Sequence, residues 1–410
     1  MQDSGLSVDT GLDRRNDTET ATNNTGAAGI IEINADEISL IDSGIGSETG
    51  GQGEAGEIKI NATKIYLNDS SITSNTLESG KAGKITLNAD SLTLENESNI
   101  SSNTLGSGQG GNIELQIKKD LSLKNKSFIS VSSNFPDDTV ETGNQTNNQL
   151  GAAGNINIQA GEVKLNNQSR LVAETDSGKG GEINLGIQDF LLLRSNSSIS
   201  TTAGIAGTGG NGGNISIQSP FVVAAPSQNN DITANAFNGS GGKIEVNAVG
   251  IFGLTPRTRE DLVTVLDTND PSQLNPQQLT SNDITAISQT NPNLEGVLTI
   301  NTIDNGNIQN SLRELPQNLI DTNILIANSC VARRNQQDST FYITGKAGLP
   351  YVPGEAVPSD YSIFEIRELL DNTSVKTSAS PRKKADSIVE ATGIYPLENG
   401  ELVFGRECEK

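Results

Sequence analysis

The chain has 410 residues and a formal net charge of −22, with 33% hydrophobic residues, 3% aromatics, and neither Trp nor His. The charge argues against nucleic acid, whose phosphates need Lys and Arg patches, and against an anionic membrane surface. The missing His removes Ser-His-Asp triads, Cys-His pairs and His-Cys zinc sites, and the scarcity of large aromatics argues against a thick globular core.

Residues 1–25 begin "MQDSGLSVDTGLDRRNDTET", with no basic-then-apolar export signal, and are expected to be a disordered or truncated N-terminus. No stretch in the chain approaches the roughly 20 apolar residues of a membrane-spanning helix, so no transmembrane segment is expected.

Residues 26–310 carry a repeat. Aligned on Gly29, Gly56, Gly83, Gly111, Gly154, Gly181, Gly213 and Gly242, the copies are separated by 27, 27, 28, 43, 27, 32 and 29 residues. They read, for example, "GIIEINADEISL", "GEIKINATKIYL" and "GKITLNADSLTL". Each copy has three bursts of alternating aliphatic and polar residues; in the second they are Ile58 and Ile60, Ile65 and Leu67, then Ile72. Period-two alternation is the mark of a strand with one buried face. Three short strands in roughly 27 residues make one coil of a parallel β-solenoid, here a parallel β-helix. About ten coils fit, giving a rod of about 50 Å at about 4.8 Å per coil. Without this periodicity the composition would suit disorder.

Between the bursts lies turn chemistry, where Asn and Gly supply the left-handed backbone of sharp corners. Asn96, Asn125 and Asn167 recur at one corner. They are either solvated turn residues or a side-chain amide ladder from coil to coil. On the first strands, stacking places Glu32 beside Lys59 and Glu57 beside Lys84, which reads as a structural charge ladder and not a catalytic site. Two long separations hold insertions at 134–150 and 201–212, the candidate contact loops.

Two G-x-G-x-x-G matches, "GSGQGG" (106–111) and "GTGGNG" (207–212), lead into strand-like sequence. A dinucleotide site needs a helix there, so neither is read as one. The calcium-binding nonapeptide is also absent. No catalytic residue, cofactor or metal ligand is assigned.

Residues 250–290 bring in Pro and an excursion before "ITAIS" (284–288) and "GVLTINT" (296–302) resume the pattern. Residues 311–410 read as a dissimilar capping region, needed because an exposed last coil offers open strand edges. Within it, 359–372 is expected to be a short helix, and "GIYPLENGELVFG" (393–405) a β-hairpin with an Asn-Gly turn. Arg382, Lys383 and Lys384 read as a solvated run. Cys330 and Cys408, the only cysteines, form either one disulfide bracketing the cap or two free thiols.

The repeat, followed by "LPQNLIDTNILIANSC", "STFYITGKAGLP" and "SIVEATGIYPLENGELVF", resembles the C-terminal portion of large cyanobacterial filamentous-haemagglutinin-like exoproteins. That resemblance implies a right-handed parallel β-helix exported by two-partner secretion through an outer-membrane transporter, extracellular or at the cell surface. It implies a non-enzymatic role in adhesion or as a surface rod, with a cell-surface glycan or protein receptor as partner. The family's secretion domain and signal peptide are not visible before Gly29, so the chain is expected to be a fragment or split reading frame. The alternatives are a polysaccharide-degrading β-helix enzyme and a non-functional remnant.

Overall fold

The computed structural model describes residues 4–10, 26–134, 150–205 and 207–302, with the backbone of 12–13, 20–21, 393–396 and 402–405. The chain divides into two units, Met1–Arg313 and Glu314–Lys410.

The first unit is a parallel β-solenoid of about 8 turns. In its first coil the strands are Ile30–Asn34, Glu37–Ile41 and Ser43–Gly46. The first strands then stack in sequence order through Glu57–Asn61, Lys84–Ala89, Asn112–Lys124, Asn155–Asn166, Glu182–Arg194, Asn214–Gln218, Lys243–Ala248 and Val297–Thr302. From Asn112 to Arg194 the first and second strands fuse into one long bent strand per coil. Eight steps at about 4.8 Å give about 40 Å of stacked coil. The stack falls short of ten coils because a single coil absorbs the whole excursion between Lys243 and Val297.

Inward positions alternate as the sequence predicts. Ile85, Leu87, Leu92, Leu94 and Ile100 are all fully buried within one coil. In the first three coils the third strand contributes one large aliphatic, Ile45, Ile72 or Ile100. Its second inward position holds Ser47, Ser74 and Ser102, whose hydroxyls donate to the carbonyls of Gly29, Gly56 and Gly83 at 2.6–2.7 Å. Each serine therefore satisfies a carbonyl of the corner at which its own coil begins.

The corners divide their chemistry differently from the expectation. Left-handed backbone between the second and third strands is supplied by Asp42, Asp69, Asn96–Glu97, Asn125–Lys126, Asn167–Gln168 and Ser195–Asn196. The leading glycines are required for another reason, close approach. A Cβ on Gly83 would lie 1.8 Å from the Gly56 carbonyl oxygen, and one on Gly154 1.6 Å from that of Gly111. The two-residue corner at Asn96–Glu97 replaces the single left-handed Asp69 of the coil before, which accounts for the step from 27 to 28 residues.

The corner asparagines form the ladder. Asn96 Nδ2 donates to Asn68 Oδ1 at 2.7 Å, Asn125 to Asn96 at 2.9 Å and Asn167 to Asn125 at 3.0 Å. Asn125→Ala removes two rungs and places a Cβ without a compensating amide at φ 55°. It is expected to cost about 1 to 2 kcal/mol, and Asn125→Gly less, by urea denaturation. An unchanged midpoint for the alanine variant would mean that the ladder adds nothing.

Residues 1–25, expected to be a disordered or truncated N-terminus, begin with an ordered strand. Ser4–Ser7 pairs in parallel with Ser43–Gly46, and Thr10 bridges Thr49, because "SGLSVDTG" (4–11) repeats the third-strand pattern of "SGIGSETG" (43–50).

The excursion holds an element that periodicity did not reveal, a helix at Arg259–Leu266. Thr258 and Asp261 cap it reciprocally, and that T-x-x-D spacing is legible in the sequence. Leu262 packs with Leu274 and Ile287 in a small second core. Strand order is also inverted there. Asp283–Thr285 inserts between Asp231–Thr233 and the earlier strand Thr255–Arg257. Pro256, which has no N–H to offer, sits in that outermost strand and blunts its edge.

In the second unit, Gly393–Pro396 and Leu402–Gly405 pair antiparallel, as a hairpin requires. The expected helix at 359–372, the basic run Arg382 to Lys384, and Cys330 and Cys408 all lie outside the described residues.

Candidate functional site

A long concavity follows the bend between first and second strands. The fifth residue after each leading glycine stands there: Asn34, Asn61, Asn88, Gln116, Gln159, Gly186, Gln218, Asn247 and, after Gly296, Asn301. All but Gly186 are primary amides, and parallel pairing stacks them in one column. Two confluent stretches of groove, about 560 and 670 Å³, run beside it and share Gln159 and Gln188 in their walls.

The column behaves differently at its ends and its middle. The asparagines satisfy one another: Asn61 donates to Asn34 and Asn88 to Asn61, both at 2.8 Å, and Asn301 donates to Asn247 at 2.8 Å. In the middle the amides are one methylene longer and, like most of the asparagines, exposed. At Gly186 a Cβ would meet the Gln159 amide at 2.2 Å, so the missing side chain leaves that amide room to lie across the coil.

Charge is sparse in this groove. Lys118 is the one charged lining residue, and it pairs with Asp90 at 2.8 Å. The Lys118 bond, aided by Lys119, holds the Asp90 carboxyl below its ordinary range. Outside the groove, the expected register holds on the first strands, with Glu32 opposite Lys59 and Glu57 opposite Lys84. The ion pairs shift, however: Lys59 reaches Glu57 within its own strand at 3.3 Å, and Lys84 reaches Glu114 one coil on at 2.8 Å. These pairs are solvated and contribute roughly 0 to 1 kcal/mol each.

The acid chemistry lies elsewhere. Asp231 and Asp283 stack on neighbouring third strands, 1% and 0% exposed. Arg257 pairs with Asp283, and the Asp283 N–H donates to Asp231 Oδ1 at 2.9 Å. Asp231 Oδ2 has no partner among the described residues. Burial raises the Asp231 carboxyl to about 7, the Asp283 N–H opposing and the Asp283 charge adding to the shift. Burial likewise raises the carboxyl of Glu174, to which the Ser200 hydroxyl donates.

Of the candidate contact loops, 201–212 is a widened corner stitched to both neighbours. Gly204 N–H donates to Thr175 O at 2.9 Å and Ser240 N–H to Asn211 Oδ1 at 2.9 Å. Residues 135–149 of the other insertion lie outside the described residues. Both G-x-G-x-x-G segments lead into strands, Asn112–Lys124 and Asn214–Gln218. Among the described residues no three Asp, Glu or Cys gather in a metal-binding group, and no helix is long and apolar enough to cross a membrane. The amide column escapes a reading of bursts alone, yet its signal, Asn or Gln five residues after the glycine, is present in the aligned repeats. The buried Asp231–Asp283 pair has no such signal, because its members are 52 residues apart across the excursion.

No protein-family model, curated protein or solved structure matches the chain. The exoprotein resemblance therefore rests on the residues quoted for it.

Proposed function

We propose that this chain is a non-catalytic solenoid working at or outside the cell surface, in adhesion or as a structural rod. The observation that carries this reading is the groove: its walls are amides and other uncharged side chains, and its one charged group is already paired. Glycoside hydrolysis needs two carboxylates facing a sugar. The stacked pair Asp231 and Asp283 is sealed under the excursion, where no polymer reaches it.

The reading has a direct test. Full-length chain incubated with neutral and acidic polysaccharides is expected to release no reducing ends and no unsaturated uronides above buffer. Release that disappears in an Asp231→Asn or Glu174→Gln variant would replace this reading with a polysaccharide-degrading one. Location is tested separately, by immunoblot of surface-washed and medium fractions from producing cells with an antibody to residues 311–410. Signal confined to the cytosol would overturn the surface assignment.

A further inference from the structure

Four glutamines on consecutive coils, Gln116, Gln159, Gln188 and Gln218, line the groove and are exposed. None of their four side-chain amides hydrogen-bonds to the rest of the protein among the described residues, in contrast to the asparagines that bond one another at both ends of the column. Each amide therefore offers a donor pair and an acceptor, unspent, every coil step of about 4.8 Å. We infer that this groove is a binding site for a neutral, hydroxyl-rich polysaccharide lying lengthwise along the coil stack.

Three features select that ligand class. A sugar hydroxyl both donates and accepts, which matches a primary amide and wastes the capacity of a carboxylate or ammonium. An anionic polymer would find only Lys118, already neutralised by Asp90, on a chain of net charge −22. The far stretch of groove adds apolar wall from Ile187, Pro220 and Val249, and Phe221, the residue after Pro220, is 43% exposed. Pyranose rings carry apolar C–H faces that pack on such surfaces, as in other open sites that combine apolar walls with a few placed polar groups. The coil spacing is comparable to one pyranose in an extended chain, so successive glutamines meet successive rings. Binding is then a sum of weak equivalent contacts, strong only for long polymers.

The inference names the ligand of the non-catalytic groove proposed above, and it fails separately from that proposal. The experiment is affinity electrophoresis of the full chain in native gels containing hydroxyethyl cellulose, laminarin or galactomannan, with polygalacturonate as the acidic control. Retardation is expected with at least one neutral polymer and not with polygalacturonate, and short oligosaccharides should compete poorly. The combined variant Q116A/Q159A/Q188A/Q218A, on exposed positions that leave the core intact, should lose at least tenfold in affinity with an unchanged circular dichroism spectrum. Lys126→Ala, exposed at the corner between second and third strands and outside the groove, should lose less than threefold. No retardation by any of the three neutral polymers overturns the inference, as does equal retardation of wild type and the glutamine variant, or preferential binding of polygalacturonate. Absence of binding leaves the reducing-end result untouched, and release of reducing ends leaves the binding result untouched.

Discussion

Gly154→Ala is expected to destabilise the solenoid by roughly 3 kcal/mol or more. The new Cβ would stand 1.6 Å from the Gly111 carbonyl oxygen and 2.7 Å from its carbon, inside van der Waals contact with backbone that cannot rotate away. The same corner carries the bond from Gly154 N–H to Val131 O at 2.7 Å and that from Asn155 N–H to Gly111 O at 3.1 Å. Relief of the overlap must push neighbouring coils apart there. Because each coil of a solenoid is stabilised by its neighbours, a break at this interface weakens the array on both sides. Gly209→Ala is the matched control, since nothing lies within 4 Å of a Cβ at that position and its backbone is not left-handed. It should shift stability by no more than about 0.5 kcal/mol. Urea denaturation followed by circular dichroism compares the two, and similar midpoints would refute the close-approach account of the leading glycines.

Asp231→Asn is expected to abolish most of the chain's loss of stability between pH 5 and pH 8. The folded protein holds a proton on Asp231 up to about pH 7, whereas an unfolded carboxyl releases it near its ordinary value of 3.8. Protonation thus favours the folded state. The contribution is fully present below about pH 4 and is lost as pH rises through 7, by about 2 to 3 kcal/mol across the pH 5–8 window. The carboxyls of Asp90, Glu95 and Glu245, held low by Lys118, Lys124 and Lys243, act in the opposite sense and only at more acid pH. With no His in the chain, few other groups titrate in this window. Asparagine keeps an Oδ1 acceptor for the Asp283 N–H and is neutral at every pH. The wild type should therefore melt lower at pH 8 than at pH 5, and Asp231→Asn at nearly the same temperature in both. An unchanged pH slope in the variant would sink the assignment. Glu174→Gln separates the contribution of the other raised carboxyl.

Much of the solenoid is legible in the residues. Ile58, Ile60, Ile65, Leu67 and Ile72 face inward by alternation alone, and all five are fully buried. The corner of Asn96, Asn125 and Asn167 is visible as a repeat, although only the stacked structure distinguishes rungs from solvated turns. The groove is half legible, as a column of Asn and Gln whose concavity depends on how sharply each coil bends after it.

Coil, period and buried face follow from the residues alone, because a period-two pattern is local and every copy votes for the same register. The leading glycines mark the repeat in the residues, but only the stacked coils show that a Cβ has no room there. What happens where the repeat stops is set by packing in three dimensions. There, Asp283–Thr285 slips between Asp231–Thr233 and Thr255–Arg257, out of chain order, and this insertion seals Asp231 from water. Neighbours separated by an irregular excursion are chosen by long-range packing, here the burial of Leu262 against Leu274 and Ile287, and no local period encodes that choice.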